Sequence, residues 1–456
     1  METKKTSGNL SRRAFTPAAV AAFSFVPRYV LGGTNQAAPS DKLNIAAVGF
    51  GGMGQNYIKG CESQNIAALC DVDEVYAAPV FARYPNAKRY RDYRVMLEKE
   101  KGIDAVIIGT PDHSHALVAS AAMELGKHVY CAKPLTRTIW EARTLVRIAR
   151  DKKLATQMSV QSCASEDACA TEEWVKSGVI GEVRDVHVWS DRPIWPQSIA
   201  RPVDAPKIPE GLEWDLWLAG APERPYHPIY HPFAWRGWTA FGTGALGDMA
   251  CHYFHMVFRA LGLSHPTSVS ASTTAVVQGA IEETNGRYRW RRRRDAGFAE
   301  TFPHSSIVTW DFSRERVRLY WYDGGLKPPR PAPMSPDEAL SGDGVMFVGT
   351  RGVIFSSYDR GPRLSPRSLR ESFQLPEKTV PRTIGHYQEW VAACKGGKTP
   401  NCNFEFGSLL TETALLGVIA QRTGKYLTYD ADAARINNEK DANALIQEPY
   451  RAGWSL

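Results

Sequence analysis

The stretch Gly49-Phe50-Gly51-Gly52-Met53-Gly54 constrains this chain more than any other. It follows directly on an apolar run, Leu43–Val48, and opens a segment of helical character, Gly52–Cys61. Glycines spaced in this way permit a tight turn and let the backbone approach a pyrophosphate closely. The free N–H groups at the start of the helix then face its negative charge. A second apolar run, Ile66–Cys70, ends at Asp71. A carboxylate there is placed to accept hydrogen bonds from an adenosine ribose and to repel a 2′-phosphate. The glycines alone are a weak signal. Strand, turn, helix and acidic residue together predict a site for NAD(H), in preference to NADP(H), formed by Gly49, Phe50, Gly51, Gly52, Met53, Gly54 and Asp71.

The same alternation continues along the chain. A helical stretch runs to Ala82. Ala105–Ile108, His128–Cys131 and Ala155–Met158 read as strands, with Ser114–Leu125 and Arg137–Arg150 as the helices between them. Apolar strands without polar alternation, separated by helices, imply a parallel sheet covered on both faces. Right-handed crossovers make this a doubly wound α/β domain over residues 41–160. The rhythm changes over residues 161–456. Glu182–Ser190, Thr267–Val276, Ser305–Phe312 and Glu315–Tyr322 read as longer strands, several of them alternating, and Tyr387–Cys394 and Phe406–Thr423 as closing helices. This predicts an α+β domain whose sheet is mainly antiparallel and open on one face, a surface suited to homo-oligomer formation. Lys327–Pro333 is rich in proline and reads as a loop.

Residues 1–40 read as an address. Ser11-Arg12-Arg13-Ala14-Phe15 fits the twin-arginine export pattern, preceded by a basic stretch and followed by the short apolar run Ala18–Val26. The expectation is an exported, periplasmic or extracytoplasmic protein that engages the twin-arginine translocation machinery and has no stable membrane span, its signal either cleaved, with Ala37-Ala38 the best site, or kept as a loose anchor. The formal charge of +7 is local: residues 1–40 carry +4 and Arg287–Arg294 another +6, which leaves −3 elsewhere. That distribution argues against a nucleic-acid partner, and Arg287–Arg294 reads as a solvated loop. The eight cysteines show no paired metal spacing and read as buried thiols, since twin-arginine substrates fold in a reducing compartment.

A dinucleotide in such a sheet lies across the carboxyl ends of the strands, so the loops leaving those ends meet its nicotinamide. Two loops qualify, Thr110-Pro111-Asp112-His113-Ser114-His115 and Cys131-Ala132-Lys133-Pro134. Thr110, Pro111, His115 and Lys133 are therefore expected against the cofactor. Asp112, His113 and His115 have zinc-ligand chemistry but lack a definite further ligand, and no metal site is assigned. Asp248 and His252, four residues apart, share one face of a helix. A histidine there is a natural general base for a hydroxyl proton. His227 and His231 have the spacing of a helical zinc pair, but Pro228 and Pro232 oppose a helix.

These features together resemble the Gfo/Idh/MocA oxidoreductases, the family of glucose-fructose oxidoreductase and inositol dehydrogenase, and its twin-arginine-exported bacterial branch in particular. The resemblance rests on Ala46–Gly54, Lys133-Pro-Leu-Thr136, Trp189-Ser-Asp-Arg192, Trp235-Arg-Gly-Trp238, Gly242–His252 and Tyr450–Trp454. It implies a Rossmann domain that binds NAD(H) and hydride transfer between nicotinamide and a sugar, glycoside or polyol. It implies catalytic roles for Lys133, Asp248 and His252, a cofactor contact from Gln161, and a carbohydrate pocket lined by Arg192, Trp195, Trp235, Arg236, Asp248 and His252. The chain departs from the family pattern at Ala132, where a glutamate is usual, and at Val160, Cys163 and His255. Two rival readings stand beside the dehydrogenase: an NAD-dependent glycosidase or lyase that oxidises its sugar transiently, and a carbohydrate-binding relic with weak catalysis.

Overall fold

Strand β1 (Asn44–Val48) lies inside a parallel six-stranded sheet of order β3-β2-β1-β4-β5-β6 in a computed structural model. The structure describes residue 1 and residues 41–274, 278–284, 287–293, 300–357 and 360–456, so the export segment at 2–40 lies outside the described residues. The other strands are β2 (Asn65–Cys70), β3 (Lys88–Tyr90), β4 (Ala105–Ile108), β5 (His128–Cys131) and β6 (Thr156–Met158). Helices α1 (Gly54–Gly60), α2 (Glu74–Arg83), α3 (Tyr93–Lys99), α4 (Asp112–Glu124) and α5 (Ile139–Asp151) connect them. Their starts are encoded locally. The Asp73 side chain accepts the Tyr76 N–H at α2, and Thr138 with Glu141 forms a capping box at α5. Sequence reading passes over β3 and α3 because Lys-Arg-Tyr, on the sheet edge and largely exposed, carries no apolar run.

The chain runs outward from β1 to β2 and β3, then returns to place β4 on the other side of β1. Between the carboxyl ends of β1 and β4 this reversal leaves the crevice in which doubly wound sheets bind their ligands.

The remaining strands build a nine-stranded sheet of order β15-β14-β13-β7-β12-β11-β8-β16-β17. These are β7 (Val183–Trp189), β8 (Ser268–Thr273), β11 (Ser306–Phe312), β12 (Val317–Tyr322), β13 (Gly344–Gly349), β14 (Val353–Ser356), β15 (Arg363–Ser365), β16 (Leu427–Asp430) and β17 (Arg435–Ile436). Only β7 and β12 pair in parallel. β11 shows which face the helices cover: Ser306, Val308, Trp310 and Phe312 are buried, and the residues between them are half-buried. On the other face Trp189, Tyr322, Met346, Val353 and Phe355 pack with Met334 into a smaller cluster. Helices α6 (Glu166–Lys176), α8 (Gly244–Leu261) and α11 (Phe404–Thr423) cover that face, with α8 packed against both of the others. α7 (Trp214–Leu218), α9 (Arg367–Ser372) and α10 (His386–Cys394) are shorter. One apolar core runs from the parallel sheet through α5, α8 and α11 into the second sheet, and Leu43–Leu456 fold as a single compact unit.

One expectation is corrected. Arg287–Arg293 is not a loop: it forms strand β10, paired antiparallel with β9 (Gln278–Thr284) in a separate two-stranded ribbon. Charge patterning alone cannot tell a ribbon from a loop; Arg294 lies outside the described residues. All eight cysteines are free thiols, and all but Cys394 are buried.

Trp310 is fully buried beneath α11 and donates its indole N–H to the Thr413 carbonyl at 2.9 Å. Trp310→Ala should lower stability by about 3–5 kcal/mol, read as a lower thermal midpoint by circular dichroism. A loss under about 1 kcal/mol would show that this core is not the keystone of the second sheet.

Candidate active site

Glycine at 49 is required by the backbone, which has φ +74° there and brings Thr110 within 2.5 Å of where a Cβ would stand. Gly54 then packs so tightly on this turn that a Cβ would lie 2.1 Å from the Gly49 carbonyl. The loop leaving β1 is thus pressed against the loop leaving β4, and both face a cavity of about 610 Å³. Gly49, Phe50, Gly51, Gly52 and Met53 line it, together with Asp71, Thr110, Pro111, His115, Lys133 and Gln161. Gly54 is absent from that wall; its part is the close packing.

Asp71 ends β2 with its carboxylate buried. One oxygen accepts the Phe50 N–H at 2.9 Å and the other the Asp73 N–H at 3.1 Å. Burial raises its pKa to about 6 in spite of these bonds. The residues fit a dinucleotide: a turn with no side chain at 49, 51, 52 and 54, no acidic residue in the first turn of α1, and a carboxylate fixed at the cavity wall.

His115, in the cavity wall, also has a bracing role. Its ring nitrogens stand 2.8 Å from the Thr110 carbonyl and 2.9 Å from the Pro134 carbonyl, so the imidazole braces the two loops and its polar atoms are spent there. His113 is held in the same manner between the Trp217 and Phe241 carbonyls. Gln161 stands 3.4 Å from both the Tyr130 and Tyr387 hydroxyls.

The second-domain side of the cavity is built around Asp248 in the second turn of α8. Lys133, delivered by the loop after β5, donates Nζ–H to Asp248 Oδ1 at 2.6 Å and also to the Asp248 carbonyl. Arg236 Nη1 lies 2.9 Å from the same Oδ1, a charge contact without hydrogen-bond alignment, and Arg192 Nε lies 4.0 Å from Oδ2. Burial alone would raise the Asp248 pKa, but Lys133 and Arg236 outweigh it and hold the carboxyl far below the ordinary range. His252, one turn further along α8, is buried beside this group. Burial, then the Lys133 charge, push its pKa well below the usual imidazole value. The helix and the four-residue spacing expected for Asp248 and His252 are both present.

Gly242 makes the arrangement possible, since a Cβ there would fall 2.6 Å from the Arg236 Cα. Trp195 and Trp235 line the cavity, but each is largely buried. The Trp195 indole N–H is taken by Gln197 at 3.0 Å, and the Arg236 guanidinium covers Trp235 with its carbon 4.3 Å from the ring centre. The open rings and chains at this wall are Phe233 and Ile194, 50% and 62% exposed, which sequence reading missed. Sequence offers Asp112 only zinc-ligand chemistry. It accepts the Thr243 hydroxyl at 2.7 Å and lies 4.0 Å from Arg236. Of the departures from the family pattern, Ala132 lines the cavity, whereas Val160, Cys163 and His255 are fully buried away from it. His227 and His231 are not helical, and His231 lies 2.8 Å from Asp73.

A glycine turn and an acidic strand end facing a lysine, an aspartate and a histidine across one cavity define a two-domain dinucleotide-dependent oxidoreductase. Residues 43–160 match the Gfo/Idh/MocA oxidoreductase family's NAD-binding Rossmann fold, and residues 183–293 match its C-terminal alpha/beta domain. The chain belongs to the Gfo/Idh/MocA oxidoreductase family, and its cofactor is NAD(H). It is similar to levoglucosan dehydrogenase of Pseudarthrobacter phenanthrenivorans, 24% identical over 226 residues that make up 47% of this chain and 50% of that one. It is also similar to inositol 2-dehydrogenase 1 of Saccharopolyspora erythraea, 30% identical over 118 residues, 25% of this chain and 35% of that one. The chain thus spans between 35% and 50% of the length of these curated relatives. Among solved structures, the WlbA dehydrogenase of Bordetella pertussis, in complex with NADH and UDP-GlcNAcA, shares the fold. The TM-score is 0.58 at 15% identity, covering 86% of this chain and 100% of that one.

Asp71 sets an expectation for cofactor choice. NAD(H) should bind at least about tenfold more tightly than NADP(H), roughly 1.4 kcal/mol, in calorimetric titration at pH 8. The discrimination needs the ionised carboxylate, whose pKa is about 6, so it should shrink as the pH falls through that value. Equal affinities at pH 8 would remove Asp71 from this role.

Proposed function

We propose that this chain is an NAD(H)-dependent oxidoreductase acting on a hydroxyl of a sugar, glycoside or polyol. One observation carries the reading: Lys133, Asp248 and His252 line the same cavity as the glycine turn and Asp71. The similarity to levoglucosan dehydrogenase and inositol 2-dehydrogenase supports the substrate class.

The bound dinucleotide supplies the redox chemistry at its nicotinamide. The protein supplies the proton chemistry and the fixed charges. His252 is neutral at pH 7 because its pKa is depressed, and takes the hydroxyl proton. The Lys133 ammonium, fixed by Asp248 Oδ1, stabilises negative charge developing on the substrate oxygen. Asp248, ionised throughout the physiological range, orients the ammonium and accepts a second substrate hydroxyl. Phe233 offers an exposed ring to the apolar face of a sugar.

The proposal extends to export through the twin-arginine machinery, with NAD(H) enclosed before transport and regenerated within the cycle. Ser11-Arg-Arg-Ala-Phe15 supports export. Retention is supported by a second-domain segment packed on the β2 end of the cavity: Glu74 N–H bonds to the Gly211 carbonyl, Glu213 N–H to the Val72 carbonyl, and His231 meets Asp73. A redox-neutral glycosidase cycle suits a retained cofactor equally. The face of the second sheet left free by the helices supports a homo-oligomer. No helix among the described residues is long and apolar enough to cross a membrane.

Lys133→Ala and His252→Ala should each lower turnover about a hundredfold with NAD affinity nearly intact, measured on a sugar identified by screening. For oxidation by the parental protein, kcat/KM should stay flat from pH 8 down to 6.5, because His252 protonates only below that range. A loss of activity centred at pH 7 or above would contradict His252 as the base. Exported, dialysed protein should release about one equivalent of NAD(H) on acid denaturation. Empty protein that works only with added NAD would reject retention and leave an ordinary dehydrogenase.

A further inference from the structure

The cations at the Asp248 wall have more donors than its carboxylate accepts. Three cations, Lys133, Arg236 and Arg192, converge on this one carboxylate, and they use it unequally. Oδ1 receives both Lys133 and Arg236, at 2.6 and 2.9 Å, whereas Oδ2 has Arg192 at 4.0 Å, beyond hydrogen-bond distance. The second carboxylate nearby offers little more. Asp112 stands 4.0 Å from Arg236, beyond hydrogen-bond distance, and has one oxygen taken by Thr243. Asp191 holds Arg192 Nη1 at 2.7 Å, but its side chain is 56% exposed, where such a pair is weak and screened. His252 is neutral and adds no charge of either sign. The two guanidiniums are therefore left with donors that no carboxylate of the wall takes, Arg236 Nη1 buried without an aligned acceptor and Arg192 Nε 4.0 Å from Oδ2, in a partly desolvated cavity that favours an incoming anion.

Both guanidiniums belong to the substrate side. Arg192 follows β7 and Arg236 lies in the single turn Ala234–Gly237, and both line the cavity with Phe233 and Ile194. Their planar forks match a carboxylate better than they match a neutral hydroxyl. We infer that Arg192 and Arg236 receive a carboxylate carried by the substrate, so that the class of substrate is a sugar acid, a uronic acid or its glycoside. This rests on the oxidoreductase reading above and narrows it. The cationic pair selects the substrate, while Lys133 and His252 act on the hydroxyl that is oxidised. Arg236 keeps its Asp248 contact, and Arg192, the less committed of the two, contributes most of the selection.

The test is calorimetric titration of the full-length, NAD-saturated protein with matched trios in the gluco, galacto and manno series. Each trio contains the neutral hexose, its uronate and its 6-phosphate. In the series that binds, the uronate should bind at least about tenfold more tightly than the hexose and more tightly than the phosphate. Arg192→Met should bring the uronate-to-hexose ratio to within about threefold, with the thermal midpoint and NAD affinity retained. A hexose that binds as well as its uronate overturns the inference and leaves the oxidoreductase reading in place. A phosphate that binds most tightly overturns the carboxylate assignment. Arg192→Met protein that loses NAD affinity in place of uronate affinity assigns the arginine to the cofactor and likewise overturns it. If no member of any trio binds, the sugar reading itself fails.

Discussion

Asp248 is the point on which the site is hung. Lys133 reaches it from the parallel sheet, Arg236 from a single turn, and Arg192 from beyond the end of β7, so three chain segments answer to one buried carboxylate. In a low-dielectric setting such a group is strongly coupled. Removing the carboxylate would leave the buried Lys133 ammonium uncompensated, at a cost of about 3–5 kcal/mol, whereas the intact cluster adds little net stability. Its value is chemical. With Asp248 held ionised, Lys133 has a fixed address, and its charge helps keep His252 neutral and able to take a proton.

The cluster requires two loops of the parallel sheet to hold still, and His115 provides for that. Sandwiched between the Thr110 and Pro134 carbonyls, it ties the loop after β4 to the loop after β5, so Lys133 is presented from a braced support. The Lys133 N–H also bonds to Ser159 Oγ at 3.0 Å, and Tyr57 meets that same hydroxyl at 3.1 Å. A lysine on a free loop would lose much of its side-chain entropy on meeting substrate; here that loss has been taken in folding.

On the opposite wall, residues from Gly211 to Phe241 join the substrate domain to the edge of the cofactor crevice. Trp214, Trp217, Tyr230, Trp238 and Phe241 bury one another in a satellite core. From it, backbone bonds run to Val72, Glu74 and His113, and Arg91 pairs with Glu213. The many aromatic residues of this stretch are thus mostly structural. This also explains why Trp195 and Trp235 are less available to a sugar than their residue type suggests, since one indole N–H is bound by Gln197 and one ring is covered by Arg236.

The local rules of the chain determined its parallel sheet, its glycine turn, the acidic end of β2 and the α8 face shared by Asp248 and His252. Each depends on periodicity or on steric freedom within a few residues, which sequence displays directly. Short edge strands such as β3, and the ribbon formed by Arg287–Arg293, escaped because pairing partners and not composition make a strand there. Tertiary structure alone decided which atoms of those residues remain available. His115 lies in a loop that meets the cofactor crevice, yet its nitrogens are spent on two carbonyls. Val160, Cys163 and His255 stand next to site motifs, yet are packed in the core. Arg192 and Arg236 are 44 residues apart, yet face one carboxylate. Sequence order fixes neighbours along the chain, whereas burial, hydrogen bonding and charge balance are set by what folding brings from elsewhere, and those set the chemistry of this site.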